Sequence, residues 1–150
     1  MEPLRIGTLG AARITPMALT RPAAKRNDAV VVAVAARDRA KADRFAAKHG
    51  IAKVHDSYDA LLADPTVEAV YNPLPNGLHG KWTIAALEAG KHVLCEKPFT
   101  ADADEAEAVA AVAARTGLVV MEAFHYRYHP LAHRLREILD SGAIGPVRRV

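Results

Sequence analysis

The stretch Leu4-Arg5-Ile6-Gly7-Thr8-Leu9-Gly10-Ala11-Ala12-Arg13-Ile14-Thr15 decides how this sequence folds. An apolar run from Leu4 to Leu9 ends on a glycine and gives way to Thr15-Pro16, where the threonine offers a capping oxygen and the proline suits a first helical turn. A strand that runs straight into a helix start exposes backbone amides in between, and amide hydrogens at such a turn attract anions. The next apolar run, Val30 to Ala36, is nearly continuous rather than alternating, as in a parallel strand covered on both faces. The helix between them, from Thr15-Pro16 to just before Asn27-Asp28, is then a crossover joining parallel strands.

Outward from this unit the alternation repeats. Asp38 is a candidate cap for a helix reaching His49, with Gly50 as its terminator, and Lys53 to His55 a short third strand. Ser57 caps a brief helix through Leu61 and Leu62 that Asp64-Pro65 stops, and Ala69 to Asn72 reads as a fourth strand. A helix from His79 to Ala89, closed by Gly90, leads to a fifth strand, His92 to Glu96, cut off by Pro98. Asp102 to Arg115 carries acids in its first turns, as a helix prefers, and Val119 to Glu122 is a sixth strand. This order predicts an α/β fold, a Rossmann-type doubly wound parallel sheet. Beyond it, Leu131, Leu135, Ile138 and Leu139 mark one face of a helix from Pro130 to Ser141-Gly142, and Gly145 to Val150 reads as a strand beginning.

Composition narrows the function classes. With 51% apolar residues among 150, the chain can bury a core, and its longest apolar run, Ala29 to Ala36, is too short to span a bilayer. No membrane role and no secretory leader are expected. One cysteine, Cys95, allows neither an internal disulfide nor a thiol-based zinc site, and a cytoplasmic location is expected. Residues 13–41 hold seven basic side chains against two acids. Without a nucleic-acid signature or an aromatic stacking stripe, this charge points to a small phosphorylated ligand rather than to nucleic acid. His125, His129 and His133 recur every four residues, but Pro130 pushes His129 out of helical geometry, so no metal site is expected. Cys95, inside a strand, reads as a small buried hydrophobe.

The segment Gly10-Ala11-Ala12-Arg13-Ile14-Thr15 occupies the place of a dinucleotide-binding GxGxxG, although only the first glycine is kept. Cofactor preference is set where the second strand closes: an acid there bonds the ribose hydroxyls of NAD, whereas an arginine accommodates the 2′-phosphate of NADP. Here Ala36 is followed by Arg37, with Arg13 and Arg39 adding field and Asp38 committed as a cap, so NADP is expected over NAD. Arg37 also argues against an S-adenosylmethionine methyltransferase. A non-catalytic dinucleotide-binding, regulatory module remains the alternative to an enzyme.

The most specific stretch is Tyr71-Asn72-Pro73-Leu74-Pro75-Asn76-Gly77-Leu78-His79, followed after 16 residues by Glu96-Lys97-Pro98. Both segments fall at carboxyl ends of strands, where open α/β sheets bind ligands. The paired prolines stiffen the loop so that Asn72, Pro73, Leu74 and Asn76 can hold a flat ring. Lys97, leaving an apolar strand, is expected to face a desolvated site that favours its neutral form and suits it to exchange a proton with a hydroxyl.

Together these segments resemble the Gfo/Idh/MocA oxidoreductases. Gly10 to Ile14, Ala35-Ala36-Arg37-Asp38, Val93 to Pro98 and Met121-Glu122-Ala123 look most like the dihydrodiol dehydrogenase and NADP-linked xylose dehydrogenase branch. The resemblance implies a dehydrogenase in which Lys97 is catalytic. It also implies cofactor contacts from Gly10, Ala11, Ala12, Arg13, Ile14, Arg37, Asn72, Pro73, Leu74, Asn76, His79, Glu96 and Lys97, with a sugar, polyol or cyclic diol as substrate. Residues 1–123 would then form the dinucleotide-binding domain, and residues 124–150 the connection to a C-terminal substrate domain. That second domain would complete the site and carry any homo-oligomer contact, so the 150 residues alone are expected to be inactive. Glu122, Tyr126 and Arg127, after the sixth strand, are candidates to line the cleft.

Overall fold

A computed structural model describes residues 2–149 of the chain. Six parallel strands form one sheet in the order β3-β2-β1-β4-β5-β6: β1 (Leu4–Leu9), β2 (Ala29–Ala35), β3 (Lys53–His55), β4 (Ala69–Asn72), β5 (His92–Cys95) and β6 (Val120–Glu122). The helices are α1 (Arg21–Ala23), α2 (Arg39–His49), α3 (Tyr58–Leu62), α4 (His79–Glu88), α5 (Ala103–Thr116) and α6 (Pro130–Asp140). Strand order reverses between β1 and β4, the topological switch of a doubly wound sheet, as the alternation predicted. Among the described residues no helix is long and apolar enough to cross a membrane.

The sheet is covered on both faces. Along β2, Ala33 and Ala35 enter the main core with Leu9, Leu61, Val70 and Leu87, whereas Val34 packs with Ala46 and Ile51 of the other layer. Successive strand residues point to opposite faces, so two layers of cover demand the unbroken apolar run seen in the sequence. Gly7 lets α3 lie close to the sheet, because a Cβ there would stand 2.8 Å from a Leu61 methyl. Asp38, Ser57 and Asp102 each accept a backbone N–H three residues on, and Gly50 (φ 68°) ends α2, as their sequence positions indicated.

Two expectations fail. Thr15 does not cap the first helix: its backbone is already helical (φ −52°, ψ −40°), and its buried hydroxyl has no partner among the described residues. A cap must be extended, and here the turns begin earlier, with Thr15 N–H on Ala12 C=O and Ala18 N–H on Ile14 C=O. The crossover then continues as a π-helical turn, Pro16–Thr20, before α1. The second failure is the tail. Residues 145–149 form no strand, since no described strand offers them a ladder, and Val150 lies outside the described residues. His129, by contrast, is extended (φ −79°, ψ 133°) ahead of Pro130 as predicted, and its Nδ1 accepts the Leu131 N–H at the start of α6. On α6 the apolar side chains Leu131, Leu135 and Leu139 are exposed.

At the amino-terminal side of β4, Asp64 is 7% exposed and gathers four donors: Thr66 N–H, Thr66 hydroxyl, Lys53 Nζ and His55 Nε2, at 2.7–3.1 Å. The Thr66 hydroxyl bond leads in holding this carboxyl well below the usual range, with Lys53 and His55 adding to it. A lowered folded-state value means the carboxylate stabilises the fold above pH ~4, and that this contribution drains away as the medium is acidified further. Asp64→Asn should cost about 2 kcal/mol at pH 7 in urea denaturation, and the deficit relative to wild type should shrink between pH 4 and pH 2. An unchanged deficit at pH 2 would show that the charge is not what stabilises this corner.

Candidate functional site

A cavity of about 490 Å³ opens at the carboxyl edge of the sheet. Its floor is Gly10, Ala11 and Ala12 after β1. One side is Ala36, Arg37, Asp38 and Lys41 after β2, and the rest comes from the β3–α3 and β4–α4 connections, including Tyr58, Pro73, Leu74 and Trp82. Gly10 is held at φ 94°, a left-handed conformation natural to glycine, and a Cβ there would press within 3.3 Å of the Leu74 side chain. A larger residue would therefore strain the turn and intrude on the cavity from its floor. Ala12, where the dinucleotide fingerprint has its second glycine, lines the same floor.

The charges around the cavity are unequal in availability. Arg39 is engaged by Asp43 at 2.9 Å and by Asp56, so it is not the supporting cation the sequence suggested. Asp38 accepts the Lys41 N–H as the cap of α2. Arg37 and Lys41 line the cavity, are exposed, and make no ion pair among the described residues. Lys41 was not singled out from sequence; its signal was the spacing, one helical turn beyond the capping Asp38.

The second segment is a clamp built on buried groups. Asn72, 0% exposed, donates from Nδ2 to His79 C=O (3.1 Å) and to the Thr83 hydroxyl (3.2 Å), while its Oδ1 accepts the Leu74 N–H (3.4 Å). It shapes the loop and does not reach the cavity. His79 is 1% exposed, with Nδ1 2.7 Å from Pro98 C=O and Nε2 2.6 Å from Leu74 C=O. Each ring nitrogen faces a carbonyl oxygen, and neither is left to meet a ligand. Its position in the sequence suggested cofactor contact; the structure makes it a tie between the β4–α4 loop and the Lys97-Pro98 turn. Asn76 begins an exposed 3₁₀ turn (Asn76–Leu78), and Arg13 is exposed; neither lines the cavity, and nor does Ile14.

Glu96 is buried away from the cavity. It accepts the Tyr71 hydroxyl at 2.7 Å and the Lys97 N–H at 3.3 Å, and lines a smaller recess of about 170 Å³ with Leu94, Met121, Glu122 and Tyr128. Burial, then the bond to Glu96, raises the Tyr71 phenol, keeping it a neutral donor. Burial likewise pushes the Cys95 thiol up to about 12, which fits a packing role and not a nucleophile. Lys97 stands exposed on its turn with no side-chain partner among the described residues, so the desolvation expected of it does not come from this part of the chain. Of the cleft candidates, Glu122 reaches the smaller recess, whereas Tyr126 and Arg127 lie exposed outside both hollows.

An anion-receptive turn, an adjoining pair of unpaired cations and a rigid second loop at a parallel-sheet switch point define a nucleotide-binding Rossmann domain. Residues 4–124 match the Gfo/Idh/MocA oxidoreductase family, NAD-binding Rossmann fold, and the chain belongs to that family. It is 46% identical over 92% of its length to a D-xylose 1-dehydrogenase (NADP(+)) of Haloferax volcanii, covering 42% of that protein. It is 42% identical over 83% of its length to a trans-1,2-dihydrobenzene-1,2-diol dehydrogenase of Bos taurus, covering 37% of it. Among solved structures, a 3-ketoreductase of Actinomadura kijaniata in complex with TDP-benzene and NADP superposes with a TM-score of 0.87, at 41% identity, over 97% of this chain and 46% of the other. The chain thus spans under half the length of these relatives.

His79→Ala removes both ties at once and should cost about 3 kcal/mol of stability in denaturant melts. Amide exchange should quicken in residues 73–78 and 97–99 while β1 and β2 stay protected. Uniform acceleration across the sheet would mean His79 merely fills the core.

Proposed function

We propose that this chain is the cofactor lobe of an NADP-dependent dehydrogenase that moves hydride between the nicotinamide ring and a hydroxyl-bearing carbon of a sugar, polyol or cyclic diol. The observation that carries this reading is Arg37 and Lys41 on the cavity rim, with no ion-pair partner among the described residues, and Asp38, next to Arg37 in the chain, used as a helix cap. An acid free to bond ribose hydroxyls would favour NAD; two free cations suit a 2′-phosphate. The NADP-linked relatives named above support the same preference.

In this reading the amides of Ala11 and Ala12 receive the pyrophosphate, with Arg13 and Ile14 in the same turn, while the Gly10 N–H stays on Ala35 C=O; Pro73 and Leu74 bound the ring end, and Asn76 follows them in the same loop outside the cavity lining. Asn72, His79 and Glu96 act from behind by fixing the two loops. When bound, the nicotinamide supplies the hydride acceptor or donor. Lys97 exchanges the proton with the substrate hydroxyl. Its exposed ammonium becomes desolvated only when cofactor, substrate and a second domain close over it. Residues 124–150 form the connection to that domain, and the exposed leucine face of α6 is a surface it can cover. Homo-oligomer contacts would belong to the same domain. A lone buried thiol suits the cytoplasm.

Calorimetric titration tests the cofactor assignment. Arg37→Ala should weaken NADPH binding by about 10- to 100-fold, the scale of a lost charge-assisted contact, and leave NADH within threefold. Equal losses for both cofactors would remove Arg37 from the 2′-phosphate. In the whole enzyme, Lys97→Met should retain NADPH affinity and lower kcat by about 10² or more. Undiminished turnover would end the proton-exchange role.

A further inference from the structure

One wall of the cavity carries an aromatic pair that no motif points to. Tyr58 opens α3 and Trp82 lies in the first turn of α4, and both line the cavity. Their rings meet edge to face, with centroids 4.8 Å apart and planes at 82°, and both pack against the main core. The tyrosine ring is therefore held in place before any ligand arrives.

Its hydroxyl is oriented toward the phosphate turn. A Cβ built on Gly10 would lie 3.9 Å from Tyr58 Oη. Tyr71 commits its hydroxyl to Glu96, and Tyr128 approaches Met121 Sδ; Tyr58 Oη has no partner among the described residues. The Tyr58 side chain is half-buried, and its hydroxyl is open to the cavity, near the Leu74 side chain that also borders Gly10, so its proton is available to an acceptor that enters. The acceptors that the Ala11 and Ala12 amides are placed to receive are phosphate oxygens, the Gly10 N–H being held by Ala35 C=O. The acids on the same wall do not compete: Asp56 is paired with Arg39, and Asp59 is exposed.

We propose that Tyr58 donates a hydrogen bond to a pyrophosphate oxygen of the bound dinucleotide, with Trp82 positioning the ring. This rests on the cofactor reading above and adds a ligand from the β3–α3 connection. Because the ring is already fixed, little side-chain freedom is lost on binding, and the bond to a charged oxygen keeps most of its strength.

Tyr58→Phe removes one oxygen and retains the edge-to-face contact. The test is calorimetry on the 150-residue chain with NADPH and with adenosine 2′-monophosphate, which carries the 2′-phosphate but no pyrophosphate. The expected result is a loss of about tenfold or more for NADPH, with adenosine 2′-monophosphate binding unchanged and the melting temperature preserved. Undiminished NADPH affinity, or an equal loss for both ligands, overturns the assignment of the hydroxyl. If the wild-type chain binds neither NADPH nor NADH, the cofactor reading falls, and the role of Tyr58 with it. If Arg37→Ala weakens both ligands while Tyr58→Phe weakens neither, the 2′-phosphate site stands and the Tyr58 contact alone is lost.

Discussion

The loops after β1 and β4 leave neighbouring, parallel strands and must turn opposite ways, because the crossover from β1 leads toward β2 and that from β4 toward β5. Two parallel chains that diverge at one edge leave a gap their own backbones cannot fill. The turn after β1, the cations after β2 and the loop after β4 are arranged around that gap. Gly10 keeps it open by lacking a side chain, Leu74 borders it, and the amides of the first turn line its floor. Position along a strand therefore matters more than residue type, which is why a fingerprint reduced to one glycine can still build the cavity.

Charge at the gap is decided by prior commitments rather than by a tally of basic residues. Residues 13–41 are strongly basic, yet Arg26 pairs with Asp28 and Arg39 with Asp43 and Asp56. Those exposed pairs add little stability, but they leave Arg37 and Lys41 as the cations available to a ligand at the rim. Asp38 illustrates the same economy, since a carboxylate accepting the Lys41 amide hydrogen serves the helix end and is less free to bond a ribose.

The sheet was legible in the sequence because parallel strands covered on both faces must be nearly all apolar, and because Asp38, Ser57, Asp102 and Gly50 are helix punctuation whose geometry is local. The helix start at Thr15 was misread for a related reason: threonine followed by proline satisfies the local rule, but the turn of Ala12 to Ile14 closes earlier and overrides it. Among site residues, Gly10, Ala11, Ala12, Arg37, Pro73 and Leu74 do meet at one cavity. Asn72, His79 and Glu96 share its loops yet face inward, a distinction between touching a ligand and holding the loop that spacing does not carry. Tyr58 and Trp82 carry no motif because they reach the cavity only through the contact of their rings between α3 and α4, and Lys41 stands in the sequence as one of the seven basic residues of 13–41 until α2 turns it toward the cavity.

The inward-facing residues bear on how such a lobe can place one exposed lysine. A lone ammonium on a surface turn samples many rotamers, and unaided it would rarely meet a reacting hydroxyl in the right geometry. Here the turn itself is fixed from two directions. Glu96 accepts the Lys97 N–H while being held by Tyr71, and His79 grips Pro98 C=O while holding Leu74 C=O. The backbone at position 97 is thus locked to the loop bordering the cavity, and only the four-carbon arm remains free. A rigid base with a mobile arm leaves the last ordering step to whatever closes over the site. Under the proposed role of Lys97, desolvation of the ammonium and its alignment with substrate would then arrive together, when the site is closed and not before.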